Sequence, residues 1–242
     1  MTKLRLAALA LLAAAPALIL AERVGAHGDM APQALDTSAL PQLGDDEEWL
    51  IENPWRDPSD PAWAKAIEIG ALGYNSNCAR CHGLEGVSGG LAPDLRYLEA
   101  DDWGDEWYLE RFRHGVNQNG AVKMPAFGEL LGQEGAWAIR TYLETRPDDG
   151  ELDAYYDRLE VIRDTLSTMA EAVNGGESPD SFQAEILPLR DEMALIGAEI
   201  ATASGAPQAD SIASRAASLL DGSAEGYATA LEALTDGLLA AR

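Results

Sequence analysis

The two cysteines of the 242-residue chain fall together in NSNCARCHGLEG (75–86), as Cys78 and Cys81, with His82 directly after the second. Four chemistries compete for a Cys-x-x-Cys-His. A structural disulfide would close so small a loop that it stabilises little. A thioredoxin-like dithiol needs a strand-to-helix setting, whereas AWAKAIEIGALGYNSN (62–77) puts a helix and a polar loop in front. Zinc needs further ligands, and the sequence has neither a third cysteine nor a His-x-x-x-His pair. Covalent haem attachment uses all three residues: both thiols add to the haem vinyl groups, and the histidine becomes the proximal ligand of the iron.

The sixth ligand separates electron transfer from ligand chemistry, because a methionine sulfur raises the potential and leaves no site for a substrate. Met124 in AVKMPAFGELL (121–131) is the candidate, placed in a short loop stiffened by Pro125, with ordinary packing as the alternative. His114 is the rival; it ends a charged helix just before Gly115, where a hydrogen-bonded histidine is common. Met169 and Met193 fall on apolar stripes without histidine or cysteine nearby and read as core filling.

These residues need elements to hold them. A helix precedes the cysteines, and two more, over about 105–114 and about 134–145, flank the Met124 loop. A polar breaker at Pro147, Asp148, Asp149 and Gly150 marks a domain boundary. Every Cys, His and Trp lies before it. After it come stripes at helical spacing: Leu152 to Val173, Phe182 to Ala203 (with Pro188 expected to kink the helix), Ile212 to Leu219 and Tyr227 to Leu238. The fold class expected is all-α, a haem-binding domain followed by an antiparallel bundle of three or four helices.

Residues 1–26 read as a secretory signal: Lys3 and Arg5, an apolar run from Leu6 to Ala21, then Val24, Gly25 and Ala26 at the cleavage site. The expected organisation is a signal peptide (1–26), a haem domain (27–150, core about 60–146) and an acidic bundle (151–242). Cleavage removes three cations and one anion, taking the formal charge from −24 to −26. Such acidity argues against nucleic acid and anionic membranes and for a basic partner or a high-salt host. The mature chain is expected to be periplasmic, without a membrane span. His27, exposed at the new terminus, could chelate copper, although a free terminus is the plainer reading.

From about Asp60 to Arg146 the sequence resembles a class I cytochrome c. Gly70 and Tyr74 match the glycine and aromatic pair at the crossing of the first and last helices, and Tyr142 and Leu143 the last helix's packing residues. The resemblance implies that the Pro93 carbonyl accepts from the proximal histidine. Over Ala26 to Glu144 the chain is similar to periplasmic cytochromes c that serve quinoprotein (PQQ-dependent) ethanol dehydrogenases. That implies a one-electron carrier with a single haem c, not an enzyme, taking electrons from such a dehydrogenase and passing them to a terminal oxidase or another cytochrome. Arg96, Tyr97, Trp103 and Trp107 are candidates for the haem wall or its propionates. Left open are a general periplasmic carrier, a haem protein with a labile sixth ligand, and a tethering or homo-oligomerising role for the bundle, which lies outside the resemblance.

Overall fold

Helix α1 (Trp63–Asn77) and the single-turn α2 (Ala79–His82) meet at Cys78, the residue that caps the first and opens the second. The computed structural model describes residues 31–44 and 48–240; the expected signal peptide and His27 lie outside them. Helix α3 (Asp102–His114) starts where the Asp101 carboxylate accepts the Gly104 N–H at 2.8 Å. It carries Asp102 and Asp105 in its first turn and Arg111, Arg113 and His114 in its last, matching the helix dipole. Gly115, at φ +68°, ends it.

The chain then forms a hairpin where the sequence suggested an irregular loop. Val116–Gln118 (β1) and Ala121–Met124 (β2) pair antiparallel, with Val116 opposite Met124. Asn119 and Gly120 supply the two positive-φ turn residues, at 51° and 77°. Helix α4 (Gly128–Glu144) is broken at Gly132, φ +67°, which explains why its regular pattern begins only near residue 134. Helices α1 and α4 cross so closely that a Cβ on Gly70 would lie 2.0 Å from the Ala138 carbonyl oxygen. Tyr74 and Tyr142 pack across the same crossing, with ring centroids 5.4 Å apart.

The bundle has four helices: α5 (Tyr156–Asn174), α6 (Gln183–Glu199), α7 (Ile212–Leu219) and α8 (Ala224–Ala240). Helix α6 packs on α7, and α8 on both α5 and α7. The apolar stripe of α6 continues to Ala203, but the helix stops at Glu199. An isolated antiparallel bridge at Thr202 to Pro147 follows instead, with Asp148 N–H donating to Ala201 O (3.0 Å) and Ala203 N–H to Arg146 O (3.2 Å). Backbone pairing with a distant segment outweighs helical propensity there. Helix α6 is continuous through Pro188, whose missing N–H is expected to kink it or loosen one turn. Met169 and Met193 are buried among Leu159, Ile162, Leu166 and Leu234, as core residues.

The chain buries two separate apolar clusters, one within residues 40–143 and one within 159–238. The first is closed by a segment that has no helix or strand among its described residues before Trp63 and yet buries Leu40 and Trp55. Charge pins it. Arg56 bridges Asp105 (2.7 Å) and Glu144 (2.8 Å), while the fully buried Arg140 reaches Asp105 and Glu144 at 2.9 Å each. Asn53 adds its N–H to Asp105 (2.9 Å) and its amide to Glu144 (3.1 Å). Two guanidinium and two carboxylate groups thus neutralise each other out of water, the condition under which buried charge is tolerated. No helix among the described residues is long and apolar enough to cross a membrane.

Candidate haem-binding site

The backbone around the cysteines winds one tight turn. Cys78 N–H donates to Tyr74 O (2.7 Å), and Cys78 O accepts from both Cys81 N–H and His82 N–H at 3.0 Å. Cys78, Cys81 and His82 therefore share a single helical turn. Both thiols are free and half-buried. Burial, then the neighbouring Cys81, pushes the Cys78 thiol up to about 12. A raised thiol pKa is the opposite of what a redox dithiol uses.

Gly83 stops the turn at φ +82°, and a Cβ there would lie 1.8 Å from the Val87 carbonyl oxygen. Its own carbonyl accepts from the Tyr74 hydroxyl at 2.7 Å. His82 is buried, with Nδ1 2.8 Å from Pro93 O. A carbonyl can only accept, so Nδ1 carries the proton and Nε2 keeps its lone pair for a metal. The loop bearing Pro93 is held by Asp94, whose carboxylate accepts from Ser88 N–H (3.2 Å) and Arg96 N–H (3.0 Å), and by Ser88 Oγ–H donating to Ala92 O.

Met124 ends β2, half-buried against the same apolar cluster that Cys78 touches. Its carbonyl oxygen would lie 2.5 Å from a Cβ at Gly115, so a glycine is required where the hairpin leaves α3. Phe127 N–H donates to Phe112 O (2.8 Å) and fixes the chain beyond it. His114 is exposed. Two free thiols and an imidazole whose Nδ1 is committed to a carbonyl share one turn, and Cys78 and Met124 pack on one apolar cluster, a donor set that fits haem c.

The other candidates have different neighbours. Arg96 is buried, and its guanidinium is shared between Asp94 (2.8 Å) and Asp149 (2.9 Å). Tyr97 donates its hydroxyl to Asp148 at 3.0 Å. Both thus face the turn at 147–149. Trp103 is 69% exposed on α3, while Trp107 is half-buried under the Arg111 guanidinium, 3.8 Å from its ring centre.

Sequence reasoning missed one cluster beside this site. Arg146, completely buried, pairs with Glu85 of the loop after His82 and with Asp210 of the bundle. Partners 61 and 64 residues away leave no local pattern to read.

A helical turn carrying two thiols and a histidine, with a methionine on the β1–β2 hairpin as a second candidate ligand, fits a c-type haem centre, and the comparisons point to the same family. The family model described as cytochrome C oxidase, cbb3-type, subunit III matches residues 65–143. Cytochrome c550 of Pseudomonas aeruginosa is 55% identical over 123 residues, 50% of this chain and 81% of that protein. Quinohemoprotein alcohol dehydrogenase ADH-IIG of Pseudomonas putida is 35% identical over 97 residues, 38% of this chain and 12% of that protein. No solved structure matches significantly. The chain belongs to the cytochrome c family: it is an electron carrier with covalently attached haem c rather than an enzyme.

Proposed function

We propose that this cytochrome is a periplasmic carrier that accepts single electrons from a PQQ-dependent alcohol dehydrogenase and passes them to a terminal oxidase or another cytochrome. The observation that carries the site is the turn holding Cys78, Cys81 and His82, with His82 Nδ1 already committed to the Pro93 carbonyl. Cys78 and Cys81 would hold the haem by thioether links, and His82 Nε2 and the Met124 sulfur would be the ligands offered to its iron. Two cysteines in the whole chain allow one haem.

When bound, the haem supplies a reversible one-electron couple. The protein's part is to bind and orient it. The Pro93 carbonyl keeps the imidazole from rotating and makes it a stronger donor. Met124, fixed by the hairpin and Gly115, would offer its sulfur to the iron and so leave no open position for a substrate. The formal charge of −24 favours a basic face on the partner.

The dehydrogenase as donor is supported by the similarity to a segment of a quinohemoprotein alcohol dehydrogenase. The periplasm is supported by the signal pattern in residues 1–26, and a division near residue 150 by the two apolar clusters. The test is to mix the oxidised cytochrome with a purified quinoprotein alcohol dehydrogenase and ethanol. Haem reduction at micromolar protein is expected. Its absence overturns the partner and leaves the carrier, whereas rapid carbon monoxide binding at neutral pH overturns the filled sixth position.

A further inference from the structure

The loop after His82 is not rigid by its own sequence. Gly83, Glu85 and Gly86 all have positive φ, at 82°, 55° and 82°. For glutamate that conformation is strained and persists only where surrounding contacts enforce it. The contacts are ionic. The Glu85 carboxylate meets the Arg146 guanidinium, and Arg215 Nη2 lies 3.6 Å away. Asp210 meets the same two arginines, with Arg215 Nε at 3.4 Å. Burial pushes the Glu85 carboxyl up, but Arg146, Arg215 and the Tyr142 hydroxyl outweigh it and hold the group below its ordinary range.

Two of these four charges belong to the bundle. Asp210 and Arg215 are carried by the start of α7 and the segment before it, which is sewn to the end of α4. Asp210 N–H donates to Thr145 O (2.8 Å), Ser204 Oγ–H to Glu144 O (2.6 Å), and Ala100 N–H to Ser204 O (3.0 Å). Arg146 completes the joint: its Nε donates to Tyr142 O (3.0 Å), and its guanidinium lies 4.1 Å from the Tyr142 ring centre. A cleft of about 290 Å³ beside the cluster is lined by Glu85, Arg96, Arg146, Asp210 and Arg215.

We propose that the C-terminal bundle is part of the haem site: Asp210 and Arg215 are positioning residues that act through Arg146 and Glu85 to hold the loop 83–86 and set the charge beside the proximal histidine. This rests on His82 as proximal ligand. The cluster is neutral with all four groups present. Removing one carboxylate leaves it +1 and disfavours the ferric state; removing one guanidinium leaves it −1 and favours it.

The experiment measures the reduction potential of the full-length holoprotein and amide hydrogen exchange over residues 83–87. Asp210→Asn should raise the potential, Arg215→Gln should lower it, and the double variant should return close to wild type. Both single variants should exchange faster in the loop. Arg215→Lys keeps the charge and should restore the potential while the loop still exchanges faster. If Asp210→Asn does not accumulate, the contrast of Gln with Lys at position 215 carries the test. Shifts of the same sign in both single variants, or none, overturn the proposal. A wild-type holoprotein without a low-spin, methionine-ligated spectrum overturns the His82–Met124 assignment instead, so the two failures are distinguishable.

Discussion

The haem-anchoring body and the bundle behind it are both helical, but they bury different things. The body encloses aromatic rings (Trp55, Tyr74, Tyr108, Phe112, Trp137, Tyr142) together with Asp105, Arg140 and Glu144. The bundle encloses Leu, Ile, Ala and Met, with Tyr227 as its one fully buried aromatic among the described residues. Aliphatic stripes suffice to make helices associate. Holding the candidate ligands on a turn and a hairpin takes specific polar contacts as well. The contrast separates residues that position chemistry from residues that hold a scaffold.

The comparison breaks most completely at the cysteines. Replacing Cys78 and Cys81 by serine should abolish covalent haem, measured as haem extractable into acidified acetone, and leave the helical circular dichroism of the bundle in place. Arg140→Met comes next. It leaves Asp105 and Glu144 to share Arg56 alone, with one negative charge in excess, and should cost about 3–5 kcal/mol in urea unfolding followed at the haem. In the bundle, Met193→Ala should cost about 2–5 kcal/mol by opening a cavity, with the visible spectrum unchanged. Met124→Ala should erase the methionine-to-iron charge-transfer band, so the pair distinguishes ligand from filler.

Smaller effects sharpen the comparison. Because the Glu85 carboxyl is held below its ordinary range by Arg146, Arg215 and Tyr142, its contribution is complete above the unfolded carboxyl pKa of about 4.3 and is lost as pH falls through the lower folded value. The stability difference between wild type and Glu85→Gln should therefore be constant at neutral pH and shrink in acid, as read from urea midpoints. Smallest is Glu192→Gln, which removes a half-exposed pair with Arg158 (2.6 Å) between α5 and α6. It should change bundle stability by about 0–1 kcal/mol, less in high salt.

Much of this was legible in the sequence. Cys-Ala-Arg-Cys-His names its chemistry because three adjacent functions fit one cofactor and no other. The stripes on α5 to α8 are readable because a helix face repeats locally, whereas the Gly70 crossing comes only from the resemblance to class I cytochromes c. The hairpin bearing Met124 was signalled by Asn119-Gly120 but read as a loop, since its strands are only three and four residues long. The end of α6 was misplaced because periodicity reports the buried face, whereas Asp148 and Arg146 decide where the helix yields. The closing segment before Trp63 has no period at all. Its burial depends on Arg56 and Asn53 reaching side chains 49 to 91 residues away.

The pairing of Arg146 with Asp210 also sets an order of events. A chain that emerges from its N-terminus presents Cys78, Cys81 and Glu85 more than a hundred residues before Asp210. Until Asp210 and Arg215 arrive, the strained turn at Glu85 lacks at least two of the four charges that hold it. Arrival of the last helices then closes the joint. The extension thus bears on when the loop 83–86 is completed as well as on what holds it.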